Sequence, residues 1–273
     1  MEDAALQDFA LATIRIPKSG SVTLARELDS CPTIGQRHRL FTTLDPHARV
    51  SLFQRARLAR SQVKSTVRSR YGLTRASAFR AINAHIRPGD LITGGHFDVL
   101  TILRNIQHKI KFVTLLRHPA ARCLSEYNYS RDAYLRKLPG MRLDAGLRAK
   151  IAARYSFDGY IDFLIEHRES YGNISAQFLG LRSREDISVF ERQSVFHWGT
   201  LENHAHQRLQ LHFKLKTPVL PDAIFSNRTI RRSVDSPSLA QMGRLHDLYL
   251  LDFEIWEHIG QQEKSLHQIA AVT

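Results

Sequence analysis

Apolar and polar positions along the chain switch repeatedly between a strand-like and a helical register. Phe9–Ile16 (FALATIRI) is a short β-rich apolar run stopped by Pro17, the pattern of a buried strand. The turn Lys18-Ser19-Gly20-Ser21 follows, and a helix is predicted from about Val22 to Leu28. Val50–Tyr71 carries an apolar stripe at Leu52, Ala56, Ala59, Val63 and Val67, with Arg57, Arg60, Lys64 and Arg68 beside it, which predicts an amphipathic helix. Asp90–Thr93 reads as a second strand that closes on Gly94-Gly95-His96, with a helix from about Phe97 to Ile106. Lys111–Leu116 (KFVTLL) is a third strand, and Pro119 suits the first turn of a helix running to about Arg131. The middle, Leu143–His167, reads as helical, and Ser194–Leu201 as another strand. Ser236-Pro237 is read as an N-cap and first helical residue of a long final helix that stops at Gly260.

Strands and helices alternating at these lengths predict parallel βαβ units: an α/β fold with a central parallel sheet flanked by helices. In such sheets ligands bind at the carboxyl ends of the strands. No repeat, low-complexity tract or linker interrupts the pattern, so the 273 residues are expected to form one domain, 1–273.

Composition excludes several classes. With 43% hydrophobic and 24% charged residues the chain is neither disordered nor fibrous. No apolar run approaches the 18 or so residues of a membrane span. Phe9–Ile16 ends in Pro-Lys instead of a small-residue cleavage site, so neither signal peptide nor anchor is expected. Cys31 and Cys123 are then reduced thiols, and the expected compartment is the cytoplasm. Charge adds more. The net formal charge is +13, and the segment Pro46–Gly89 supplies +10 of it, with ten Lys/Arg and no Asp or Glu. Such a field attracts anions: nucleic acid, a phosphorylated cofactor, an acidic glycan or an acidic peptide.

Two segments carry candidate chemistry. Lys18-Ser19-Gly20-Ser21-Val22-Thr23 joins a strand to a helix through small residues, which turns backbone N–H groups toward one spot favourable for phosphate. Lys18 adds a point charge, and Ser21 and Thr23 add hydroxyls. The order of Lys and Gly is not that of a Walker A loop. Arg117-His118-Pro119 stands directly after the third strand, and Ser125 lies two helical turns on, so Arg117 and Ser125 can reach one anion. Together the two segments ask for a ligand with two separated anionic groups.

These motifs resemble those of the sulfotransferases that use 3′-phosphoadenosine-5′-phosphosulfate (PAPS). Lys18–Thr23 resembles their 5′-phosphosulfate loop, and Arg-x-Pro-x-x-Arg-x-x-Ser, with Arg117 and Ser125, resembles their 3′-phosphate site. Gln177-Phe178-Leu179-Gly180, Gly199-Thr200-Leu201-Glu202-Asn203, Asn227-Arg228-Thr229 and Leu251-Asp252-Phe253-Glu254-Ile255 resemble later family segments in order. His118 stands where the family usually has Asp, and Thr229 where it usually has Ser. Gly94-Gly95-His96-Phe97 is similar to the Gly-His motif of carbohydrate O-sulfotransferases that act on uronic acid units.

The resemblance implies a P-loop-like fold and PAPS as sulfuryl donor, without metal. It implies His96 as general base and Lys18 as the group at the leaving oxygen. Ser19, Gly20, Ser21, Val22 and Thr23 would cradle the 5′-phosphate, Arg117 and Ser125 would hold the 3′-phosphate, and Asn227 and Arg228 would lie near the nucleotide. Asp98 is the neighbouring candidate base. The implied acceptor is a hydroxyl of an anionic or neutral glycan, with a tyrosine in an acidic peptide as the alternative; by its charge the basic segment is either a surface for an anionic acceptor or a solvated face. A P-loop kinase lacks its Walker A order here and any clear Mg²⁺ aspartate. A basic nucleic-acid binder would explain the charge but not the two anion loops, and no specific nucleic-acid partner is expected.

Overall fold

A computed structural model describes residues 6, 8–40, 75–142, 145–217 and 234–270. The predicted basic helix Val50–Tyr71 and the Asn227-Arg228-Thr229 segment lie outside the described residues, as does the start of the predicted Leu143–His167 helix.

Five parallel strands form one sheet: β1 (Ala10–Thr13), β2 (Arg37–Leu40), β3 (Leu91–Gly94), β4 (Ile110–Leu116) and β5 (Val195–Thr200), in the order β2-β3-β1-β4-β5. Helices flank the sheet: α1 (Ser21–Asp29), α2 (Arg75–His85), α3 (Val99–Asn105), α4 (Pro119–Leu135), α5 (Leu147–Arg154), α6 (Phe157–Glu166), α7 (Ile174–Leu179), α8 (Glu185–Ser194), α9 (His204–Leu215), α10 (Leu239–Leu248) and α11 (Leu250–Ala270). This is the expected α/β fold.

Side chains alternate across a strand, and the core divides accordingly. Ala10, Ala12 and Ile14 join Ile92 and Phe112 on one face, against Phe79 and Ile82 of α2 and Ile255 and Ile259 of α11. Leu11, Leu91, Val113 and Leu115 take the other face, against Leu24 and Leu28 of α1 and Leu211 and Leu215 of α9. A third cluster lies mainly between helices, with Cys123 and Tyr127 of α4 on Tyr160 and Leu164 of α6 and Leu245 and Leu248 of α10. Both cysteines are buried and free, and burial pushes the Cys123 thiol up to about 12. Among the described residues no helix is long and apolar enough to cross a membrane.

Three of the differences between sequence and structure have a visible cause. Strand β2 (RHRL) was not expected, because Arg37 and Arg39 obscure its alternation. It is pinned by buried His38, whose Nε2 meets Asp90 Oδ2 at 2.9 Å, while Asp90 also accepts from the N–H groups of Gln36 and Arg87. The middle helix breaks at Tyr155, where Ser156 accepts from the Gly159 N–H and starts α6. The final helix begins later than Ser236-Pro237 and is two helices. Ser238 caps α10 in a box with Gln241, and the chain breaks at Tyr249. Gly260 does not end α11: a Cβ there would meet open space, so nothing forces a stop.

The Tyr249 break has a distant cause. Asn173 Oδ1 accepts from the N–H groups of Leu251 and Asp252 at the start of α11, and Asp252 accepts from those of Ser175 and Ala176 at the start of α7. Each helix start thus borrows a carbonyl or carboxylate from the other for its unpaired donors.

Candidate active site

All five strands run the same way, so the loops after β1, β3, β4 and β5 meet at one edge of the sheet. There they line an open cleft of about 1160 Å³. Its wall includes Lys18, Gly20, Ser21, Val22 and Thr23 after β1, His96 after β3, Arg117 and Ser125 after β4, and Leu201 after β5.

The β1–α1 loop is built as a cradle. Lys18 (φ 65°) and Gly20 (φ 76°) both adopt the left-handed conformation. That is strained for a lysine and open to glycine. A Cβ on Gly20 would also come within 2.5 Å of Leu201 Cδ1, so the turn needs glycine. Gly20 is the N-cap of α1 and gives no side-chain cap, while its carbonyl accepts from the Thr23 N–H at 2.9 Å. The first-turn N–H groups of Ser21 and Val22 have no intrahelical acceptor. They carry the positive end of the helix dipole. Ser19 has a different place: it is fully buried, and both its N–H and its hydroxyl donate to the Ile16 carbonyl. Ser21 Oγ reaches the same carbonyl at 3.3 Å. Ser19 therefore shapes the loop from beneath and does not line the cleft, whereas Lys18, Ser21, Val22 and Thr23 do.

The Lys18 ammonium lies 3.7 Å above the centroid of the Tyr129 ring, a cation–π contact on the cleft wall. Desolvation lowers its pKa from the ordinary lysine value; Glu126 opposes this, and Arg117 adds to it.

His96 stands two residues beyond β3. Gly94 (φ 130°) is required there, since a Cβ would fall 1.8 Å from the Leu40 carbonyl oxygen of β2. The Gly95 N–H donates to that same carbonyl at 2.7 Å. The His96 ring opens onto the cleft, with Nδ1 2.6 Å from the Arg15 carbonyl oxygen. A carbonyl only accepts, so Nδ1 carries the proton and Nε2 keeps its lone pair. Desolvation lowers the imidazole's pKa, the Arg15 carbonyl opposes, the Arg15 charge adds to the lowering, and Glu126 opposes it. The side chain is thus a neutral base at pH 7. Asp98, the other candidate base, is the N-cap of α3: it accepts from Thr101 N–H and Thr101 Oγ1, each at 2.7 Å.

Arg15, Tyr129, Glu126 and Arg148 line the cleft without having been singled out in sequence. Arg15 lies two residues beyond β1 and donates from Nη1 to the Gly94 carbonyl at 3.0 Å, tying the ends of β1 and β3. Its position at a strand's carboxyl end was a usable signal. Glu126 pairs with Arg148 and lies 3.6 Å from Arg122. Arg122, fully buried, lies 3.8 Å from Asp252 and over the Tyr249 ring. Burial alone would lower its pKa, yet Tyr249, Asp252 and Glu126 raise it, so the guanidinium stays charged. Arg122 is a structural cation under the cleft, whereas Arg117 lines it. Among the described residues, no three His, Cys, Asp or Glu side chains gather as a metal site.

No family model matches the chain. No curated protein matches it either. Among solved structures, it is similar in fold to mouse sulfotransferase SULT7A1 complexed with PAP, at 12% sequence identity and a TM-score of 0.36. That similarity covers 88% of this chain and 63% of the mouse chain, so this protein spans less than two thirds of its neighbour's length.

Proposed function

We propose that the protein is a PAPS-dependent sulfotransferase that moves the sulfuryl group to a carbohydrate hydroxyl by in-line displacement. One observation carries the reading: Lys18, the first turn of α1, His96, Arg117 and Ser125 line a single cleft. The donor set fits a nucleotide with two anionic ends. The Ser21 and Val22 N–H groups and Lys18 suit the 5′ end, and Arg117 with the Ser125 hydroxyl suits a 3′-phosphate. Such a donor supplies an activated sulfuryl group.

This chain's residues do the rest. His96 Nε2 takes the acceptor hydroxyl proton, with Nδ1 held on the Arg15 carbonyl so that the tautomer cannot invert. The Lys18 ammonium offers its donors to the bridging oxygen as negative charge develops there. Positioning and electrostatics then carry the reaction, as in phosphoryl transfer. The exposed Tyr129 ring, with Lys18 over it, forms part of the same wall.

The nucleotide half of this reading is tested by melting temperature. A ligand that binds only the folded state stabilises it by mass action, about 2.7 kcal/mol at a hundred times its Kd. 3′,5′-ADP is expected to raise Tm by several degrees and ADP, which lacks the 3′-phosphate, to do much less. Arg117→Ala should erase the difference. Equal shifts by both nucleotides in the wild type would remove the 3′-phosphate site from this cleft.

A further inference from the structure

The turn that carries Arg117 is held from the neighbouring strand by a carboxylate that does not line the cleft. Arg117 directly follows β4, and His118 is the N-cap of α4 but contributes no side-chain cap. The His118 backbone N–H donates to Glu202 Oε1 at 3.0 Å, a bond between residues 84 apart in sequence. Glu202 lies two residues beyond β5, and the Leu201 N–H donates to the Leu116 carbonyl at 2.7 Å, so strand pairing itself brings Glu202 level with the turn. The second carboxylate oxygen, Oε2, accepts from Trp256 Nε1 at 3.3 Å.

The His118 ring sits edge-on to Trp256 and Phe253 of α11, with centroids 4.8 and 5.1 Å away. Desolvation lowers its pKa, with Glu202 and Glu257 opposing. The turn is thus gripped at its main chain by Glu202 and at its ring by α11. A negative charge beside an anion site is unfavourable unless it is spent on donors, and both Glu202 oxygens have one.

We propose that Glu202 is a positioning residue for Arg117: by fixing the Arg117–His118 turn it sets how well the protein distinguishes a 3′-phosphorylated nucleotide from one without that phosphate. The proposal rests on the nucleotide reading above. It follows from the sensitivity of charge-assisted, bidentate recognition to displacements of about 1 Å. A residue that only supported the fold would weaken both nucleotides alike.

Isothermal titration calorimetry with 3′,5′-ADP and ADP tests it. Glu202→Ala is expected to weaken 3′,5′-ADP about tenfold, the loss of one hydrogen bond at the upper end of its usual range, and ADP less than twofold. Glu202→Gln keeps an acceptor oxygen for the His118 N–H and should stay within about threefold of the wild type for both. A Glu202→Ala protein with the wild-type ratio of affinities, or with equal losses for the two, overturns the assignment. If the alanine variant has no melting transition, Trp256→Phe removes the Nε1 donor and keeps a ring against His118. It should lose about threefold for 3′,5′-ADP alone, and an absent or unselective loss counts against the proposal. A wild type that does not separate the two nucleotides overturns the donor reading and this assignment with it. A wild type that separates them, with variants that do so equally, overturns the assignment alone.

Discussion

His96→Ala is expected to lower kcat by about 10²–10⁴-fold, the usual contribution of a positioned general base. Nucleotide affinity should change little, because the imidazole serves the acceptor hydroxyl. The pH dependence gives a second reading. The base works only when deprotonated, so kcat/KM rises with pH through its pKa. Desolvation by the cleft wall lowers that pKa, so the limb is expected below the ordinary histidine value. The alanine variant should lose the limb. Steady-state rates from pH 4.5 to 8 check both points, and near-normal turnover in the variant would take the base away from this position. Asp98 is not a ready substitute, since both its oxygens are committed to Thr101.

Lys18→Ala is expected to have an effect of similar size with a different signature. Removing one preorganised donor to a developing anion costs about 10²–10³ in rate. The ammonium also faces the 5′ end of the donor in the proposed arrangement, so PAPS affinity should fall together with kcat. Binding and single-turnover rates measured on the same variant separate the two losses. A variant that binds PAPS normally and turns over normally would show that the ammonium's place over Tyr129 has no part in the reaction. Lysine is also unusual here on backbone grounds, because its φ of 65° belongs to the region glycine prefers. Lys18→Gly should therefore lose activity as the alanine variant does while relieving that strain.

Much of this architecture could be read from residues alone, for a physical reason. Buried parallel strands are short apolar runs, and the ends of β3, β4 and β5 fall within one residue of the expected bounds, while β1 stops three residues short of Ile16. The small-residue turn after β1 and the Arg-His-Pro after β4 are local signals too, and they meet in one cleft because every strand points the same way. Harder to read were features decided at a distance. The charged edge strand β2 is held by His38 and Asp90, 52 residues apart. The α10–α11 break has Asn173 beside it, and Asp252, read as part of a closing-helix motif, lies in α11 and also caps α7.

The site itself shows the same division. Gly20 and His96 line the cleft after their strands, yet nothing local to Ser19 reveals that its hydroxyl is turned down onto Ile16. Nor does any local pattern link Glu126 to Arg148 or Glu202 to His118, since those partners are 22 and 84 residues away.

Whether the cleft transfers a sulfuryl group is tested by following a label. PAPS carrying radiolabelled sulfur is incubated with the protein and a panel of glycans, phenols and peptides, and each acceptor is separated and counted. Label should appear on a glycan, in amounts that depend on the protein and fall by about 10²–10⁴-fold with His96→Ala. No label on any acceptor from a protein that binds 3′,5′-ADP, or label that reaches an acceptor equally well with His96→Ala, would contradict that transfer.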